Sequence, residues 1–444
     1  MDIIMHDNDS KYVIREVSNL QKVAIRANGD HECTFTSVVH LIDVQMLIQA
    51  FQEIRKDAAS GVDGITAEEY SYNILVNLHS LYKRLLSGEY KAKPVKRVWI
   101  NKEDGRKRPL GIPALEDKIV QKAVEKIMNI IYEPIFQDYS FGFRPRRSQH
   151  DALKMIREKC LENNINWIVD ADVSSYFDTI DHNQLTEFIK LRLNDGGMIR
   201  LINKWLKAGV MEEVTLTESA IGTPQGGIIS PILSNIYLHY VLDDWFSNVV
   251  KPRMKGRCFM VRYADDFIVG FESKDDVERF MKVLPKRFAK YGLKIHPEKT
   301  KVIKFGRPVK RSQKSMRGTF DFLGFTHYWA KSRNDNWVIK RKTKQKKRKL
   351  KRQELWKWIK QNRHRTIEYL QAKLSEKLNG YYNYFGVRCN IEDLKSLNRF
   401  VINALKYWLS RRSRKRMNWD KFNKVVMEKM QLPKPKLSNR LCMV

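Results

Sequence analysis

Three aspartates carry the strongest chemical signal in this chain. Asp172 closes the run Trp167-Ile-Val-Asp-Ala-Asp, and Asp265 and Asp266 stand between the apolar runs Met260–Tyr263 and Phe267–Phe271. Bare carboxylates beside apolar strands are costly to desolvate unless cations neutralise them. Mg²⁺ prefers oxygen ligands and is commonly held by one or two carboxylates plus substrate phosphates. Two such ions about 3.5–4 Å apart suit an in-line phosphoryl displacement, where both the attacking and the leaving oxygen need stabilising. Two other uses remain open on these residues alone. Asp-Asp is common in solvated turns, which on Ala-Asp-Asp alone are the commoner outcome. Paired carboxylates also serve glycoside hydrolysis.

Elements that would position these acids are readable around them. Trp167–Val173 reads as a strand, and Arg257–Phe271 as a hairpin with Ala264-Asp265-Asp266 at its tip. Lys93–Pro113 reads as a second hairpin with a Glu-Asp-Gly turn. Helical spacing runs over Val38–Ile54, Ile74–Leu86 and Leu115–Phe136, and over about 183–194, 198–208, 228–246 and 275–291. Gly222–Gly227 is a Gly/Pro turn, and Ser140–Ser148 is a basic, aromatic loop. A further strand is expected at about 320–329, and 345–425 should be mostly helical. Residues 1–35 are polar with weak periodicity. The alternation of helices and strands through residue 330 predicts an α/β or α+β body, of which α+β is the expectation carried forward.

Charge divides the chain unevenly. Of 83 Lys+Arg and 50 Asp+Glu, residues 301–444 hold 40 and 9, which is nearly all of the +33 net charge. Lys340–Arg352 alone has 10 basic residues in 13. Such a tail points to a polyanion, most often nucleic acid, and a glycosidase has no need of one. The five cysteines are scattered with no CxxC, which argues against a thiolate zinc site or a disulfide framework. The absence of HExxH, GxSxG, GxxxxGK[ST] and GxGxxG removes the usual protease, hydrolase and nucleotide-loop readings. With no secretory leader and no long apolar run, the expected setting is the cytoplasm, without membrane contact.

Several blocks, in order, resemble one family. Tyr263-Ala264-Asp265-Asp266 resembles the YADD box of reverse transcriptases. Arg108–Pro113 with Asp117, Lys118 and Gln121, then Phe141–Leu153, Asp170–His182, Thr223–Leu238, Gly292–Ile303 and Phe320–Phe325 are similar to that family's other blocks. PQGxxxSPxLxN, FGFRPxRS and GYYNYFGV (Gly380–Val387) resemble the group II intron-encoded branch, whose members are also called maturases. The resemblance spans roughly residues 40–437.

That resemblance implies a right-hand polymerase fold: an N-terminal extension over 1–40, fingers and palm with an antiparallel sheet over 41–335, and a helical thumb (domain X) over 336–430. A short tail over 431–444 would follow, without the Cys/His-bearing endonuclease domain of many members. It implies catalytic Asp172, Asp265 and Asp266, with metal held at Asp172, Val173, Asp265 and Asp266. The metal would be a pair of Mg²⁺ ions, with Mn²⁺ as a substitute. Deoxynucleoside triphosphates would be the substrates. Lys102, Arg108, Phe177, Gln225 and Gly226 would bind the nucleotide, with Phe177 excluding a 2′-OH. Four of these also have a plainer reading: solvated hairpin charges for Lys102 and Arg108, core for Phe177, a turn for Gly226. Basic clusters at Arg144, Arg146 and Arg147, at Lys346, Lys347 and Arg348, and at Arg411 and Arg412 would contact RNA. Partners would be an RNA template and primer, a group II intron RNA and a DNA target. Two alternatives share these residues: an intron-independent reverse transcriptase used in defence or repair, and an RNA-binding splicing cofactor.

Overall fold

The computed structural model describes residues 8–101, 107–208, 210–212, 215–217, 226–308, 318–412 and 417–437. The chain forms two compact units. The first holds residues 1–152, 169–269 and 274–301, and the second 153–168, 270–273 and 302–444. The described part is a mixture of helices and mainly antiparallel sheets, in keeping with the α+β expectation.

The first unit begins with a helix that weak periodicity did not signal, α1 (Asn8–Gly29). After it come α2 (Val44–Glu53), α3 (Ala67–Ser71) and α4 (Ile74–Leu86). Local chemistry sets these starts. Asp43 caps α2 by accepting from the Met46 amide, and Thr66 and Glu69 form a reciprocal capping box on α3. The hairpin β1 (Val95–Asn101) and β2 (Lys107–Ile112) leads into α5 (Leu115–Tyr132). On α5, Ile119, Val120, Ala123, Val124, Ile127, Met128 and Ile131 are wholly buried, so this helix is the spine of the unit's core.

Next along the chain are α6 (Gln149–Glu162), another helix outside the sequence expectation, and the strand β3 (Trp167–Ala171). The helices α7 (Tyr176–Thr179), α8 (His182–Lys190) and α9 (Gly196–Lys207) follow. Short strands β4 (Val210–Glu212) and β5 (Thr215–Thr217) complete a sheet in the order β2-β1-β4-β5. The helix α10 (Ser230–Leu238) continues into wider π-helical turns at His239–Asp243 and Phe246–Val250. The hairpin β6 (Cys258–Tyr263) and β7 (Asp266–Phe271) is followed by α11 (Lys274–Lys290) and β8 (Lys301–Lys304). The strand order β6-β7-β3-β8 puts the acidic hairpin beside the strand that Asp172 directly follows.

In the second unit, β9 (Phe320–Phe322), β10 (Phe325–Lys331) and β11 (Trp337–Thr343) make an antiparallel sheet with β10 in the middle. The β10–β11 hairpin runs straight through residue 335. The helices α12 (Gln345–Asn362), α13 (Ile367–Phe385), α14 (Ile391–Leu409) and α15 (Trp419–Phe422) follow. Leu370, Leu374 and Leu378 on α13, and Leu394, Leu397, Val401 and Leu405 on α14, are buried at helical spacing. Asn390 ties sheet to helices: it accepts from the Thr343 amide and donates to the Thr343 hydroxyl, at 2.9 and 2.8 Å.

Candidate active site

The β6–β7 hairpin turns over two residues, Ala264 and Asp265. Ala264 sits at φ +58°, a left-handed conformation that costs a residue with a Cβ about 1–2 kcal/mol. Its surroundings hold it there. Residues 139–141 run alongside β6, with the Arg262 amide donating to Tyr139 O at 2.8 Å and the Phe141 amide to Arg262 O at 2.9 Å. Gly142 then lies against the turn so closely that a Cβ there would fall 2.2 Å from the Ala264 nitrogen. Beneath the turn Arg262 is wholly buried and pairs with Asp243 through Nε at 2.8 Å and through Nη2. Burial opposes a charged guanidinium, but Asp243's charge and hydrogen bonds overcome it, so Arg262's pKa is raised. The nearby His239 is driven the other way, down to about 3, by burial and by the positive charges of Arg262, Arg144 and Arg192. It is therefore neutral.

Asp172 follows β3 directly. Segment 294–296 fixes its backbone: the His296 amide donates to Asp172 O at 2.8 Å, and the Ser174 amide to Lys294 O at 2.8 Å. Val173 bridges Ile295 in antiparallel register. The Asp172 carboxylate takes an ion pair from Lys299 Nζ at 2.8 Å. Lys299 lies within Gly292–Ile303, a block noted for resemblance, but its own spacing gave no sign that it would meet Asp172. After a left-handed Ser175 (φ +46°), α7 carries Phe177, which is buried and meets the Tyr176 ring edge-on at 5.3 Å. The Tyr176 hydroxyl donates to Ser234 O at 2.7 Å, fixing this short helix on α10.

The three predicted acids thus belong to one electrostatic cluster. The Asp266 pKa is pushed up to about 7, first by the loss of water around it and then by the negative charges of Asp265, Asp172 and Asp170. Asp266 is itself exposed to solvent, which weakens the first cause and leaves the like-charge repulsion as the better-founded one. Among the described residues, no three His, Cys, Asp or Glu side chains form a ready-made metal cage. The donor set nevertheless fits Mg²⁺: it offers only oxygens and has excess negative charge, and such ions complete their shell with water and substrate phosphate.

A pH dependence follows from Asp266. Its folded pKa lies above the ordinary carboxylate value. In metal-free protein its ionisation therefore costs stability progressively as pH rises from about 4 through 7. A divalent cation, if held by these acids, would remove that penalty. Differential scanning fluorimetry should show a larger Mn²⁺-induced rise in Tm at pH 8 than at pH 6. An equal rise at both would contradict the cluster.

The remaining predicted residues fall in different settings. Lys102 and Gln225 lie outside the described residues. Arg108 is on β2 opposite Ile100. Gly226 has φ +114°, and a Cβ there would lie 2.5 Å from Gly111 O, so only glycine fits. Arg144, predicted to meet RNA, is buried instead. Its guanidinium pairs with Glu133 at 2.9 and 3.0 Å and donates to Gln137 O and Ser140 O, bracing the loop from inside. Arg146 is exposed, and Arg147 pairs with Asp138 at 2.8 Å. On α12, Lys346 is exposed, Lys347 is half-buried and Arg348 pairs with Asp393 at 2.8 Å. Arg411 lies over the Tyr407 ring at 3.4 Å, and Arg412 donates to the carbonyls of Arg363 and Arg365.

Residues 100–327 match the family described as reverse transcriptase (RNA-dependent DNA polymerase), and the chain belongs to that family. Within it, the relatives point to the group II intron-encoded proteins. The group II intron-encoded protein LtrA of Lactococcus lactis subsp. cremoris is 38% identical over 225 residues, 50% of this chain and 37% of that protein. Protein YkfC of Escherichia coli (strain K12) is 38% identical over 239 residues, 47% of this chain and 62% of that protein. The putative COX1/OXI3 intron 1 protein of Saccharomyces cerevisiae is 29% identical over 306 residues, 58% of this chain and 36% of that protein. The chain thus spans less than two thirds of the length of each of these relatives. No helix among the described residues is long and apolar enough to cross a membrane.

Proposed function

We propose that this protein is an RNA-directed DNA polymerase of the group II intron type, which also binds intron RNA to assist splicing and mobility. The observation that carries the reading is the clustering of Asp172, Asp265 and Asp266 at adjacent strand ends, inside a segment matching the reverse transcriptase family. In this reading Asp172, Asp265, Asp266 and the backbone of Val173 hold divalent metal. When bound, that metal supplies charge stabilisation for the attacking 3′-oxygen of the primer and for the leaving pyrophosphate. The residues of the chain orient the groups. The strained Ala264 turn presents the Asp pair, and Phe177 lies five residues beyond Asp172, where its ring would oppose a 2′-OH. Gly226 lets backbone approach closely beside β2, and Lys299 neutralises Asp172, a charge that divalent metal would otherwise offset. Lys102, Arg108 and Gln225 would bind the incoming deoxynucleotide, with the two basic side chains on its triphosphate. The direct test is extension of a DNA primer on an RNA template with deoxynucleotides and Mg²⁺. Failure to incorporate any nucleotide would reject the polymerase.

A cleft of about 600 Å³ in the second unit supports RNA binding. Arg348, Lys349, Arg352 and Lys357 line it together with the half-buried rings of Trp356 and Phe400. Cations track phosphates, and exposed ring faces stack unpaired bases. Changing Lys346, Lys349 and Lys357 together to Gln should lower the log–log salt slope of RNA affinity by about 0.7–0.9 per lost contact. Filter binding from low to high salt measures it, and an unaltered slope would remove this face from the RNA surface.

A further inference from the structure

Arg262 is buried beneath the hairpin, behind the acids, yet its guanidinium does more than pair with Asp243. Nη1 donates to Asn235 Oδ1 at 2.9 Å and to the carbonyl of Ala264 at 3.0 Å. Asn235 in turn donates Nδ2 to Gly142 O at 2.7 Å. Gly142 is the residue packed against the Ala264 nitrogen. The contacts close a ring: Arg262 to Ala264, Ala264 against Gly142, Gly142 to Asn235, and Asn235 back to Arg262. Asp243 stands outside the ring and keeps the guanidinium charged and oriented.

We infer that Arg262 is a positioning residue for nucleotidyl transfer, locking the Ala264 turn so that Asp265 and Asp266 meet the cation as a fixed pair. The inference rests on the polymerase reading. Asp243 takes only the Nε donor and one Nη2 donor of a guanidinium that has five, so the role of Arg262 turns on where the remaining nitrogen points. Here one guanidinium nitrogen is directed to the strained turn itself and to the side chain that braces its neighbour. Only a planar fork reaches Asp243, Asn235 and Ala264 together. A lysine offers a single nitrogen, so Arg262→Lys keeps a charge for Asp243 and opens the ring. Asn235→Ala opens the ring elsewhere and leaves the Arg262–Asp243 pair whole.

The test measures Mn²⁺ affinity of the free protein by electron paramagnetic resonance, with kcat and KM for primer extension and Tm alongside. Partners that orient metal ligands are worth about 10- to 100-fold in metal affinity or activity. Both variants should lose Mn²⁺ affinity and kcat in that range, with KM for template–primer near the wild-type value. If either variant is folded and matches wild type in Mn²⁺ affinity and kcat, lowering Tm alone, Arg262 merely holds the fold together and the inference is overturned. Should Arg262→Lys fail to fold, Asn235→Ala decides by the same criteria. A wild type inert in primer extension rejects the polymerase reading and this role with it. An active wild type matched by either folded variant rejects the positioning role alone.

Discussion

Asp265→Asn is expected to lower primer extension at least about a thousandfold, equivalent to about 4 kcal/mol of lost transition-state stabilisation. The substitution keeps the size of the side chain and one carbonyl oxygen. It removes the negative charge, and a neutral amide is a poor ligand for a hard cation. Folding should survive, because the bonds that hold the turn run through the backbone of Ala264 and the Arg262 guanidinium. Asp266 should also become more acidic, since Asp265 is one of the charges raising its pKa. RNA affinity should stay near the wild-type value, because the basic excess lies in residues 301–444. Primer extension paired with filter binding separates the two properties. Undiminished synthesis by the variant would sink the metal role of Asp265.

Gly142→Ala should be nearly as damaging, for a reason invisible in residue chemistry. The added methyl would lie 2.2 Å from the Ala264 nitrogen and 2.9 Å from the Tyr263 carbonyl carbon. Both are backbone atoms, so no side chain can swing aside. The loop and the hairpin tip must separate, which displaces the Asp pair. A misplacement of about 1 Å can cost about a hundredfold in rate, and overpacking of this kind costs about 1–3 kcal/mol of stability. The expected outcome is a folded protein with a lower Tm and kcat reduced about a hundredfold. Full activity would mean that the turn tolerates movement, and would weaken the case for a rigid acid pair.

The fold was legible wherever local rules decide it. The helix α4 falls on the stretch where apolar spacing placed one, at about Ile74 to Leu86, and both expected hairpins are present as β1–β2 and β6–β7. Two long helices escaped. In α1 the polar composition hides the helical signal. In α6, Gln149–Glu162, charged residues interrupt the apolar positions, and no element was expected there. The basic run Lys340–Arg352 was legible as composition but not as structure, since it is divided between β11 and α12.

By itself, the sequence determined the acids, their strand-end setting, the family blocks and the basic final third. Residue type and short-range spacing suffice for these, because they depend on chemistry and on backbone periodicity. Only the tertiary structure decided which polar groups serve the site from within. It paired Lys299 with Asp172 across 127 positions, turned Arg144 inward onto Glu133, and closed the ring from Arg262 through Asn235 to Gly142 and Ala264. An arginine in a basic loop and an arginine at the end of a strand look equally solvated in sequence. Their roles are set by the buried acceptors that the fold brings to them, because a buried guanidinium must find partners for its charge and its donors.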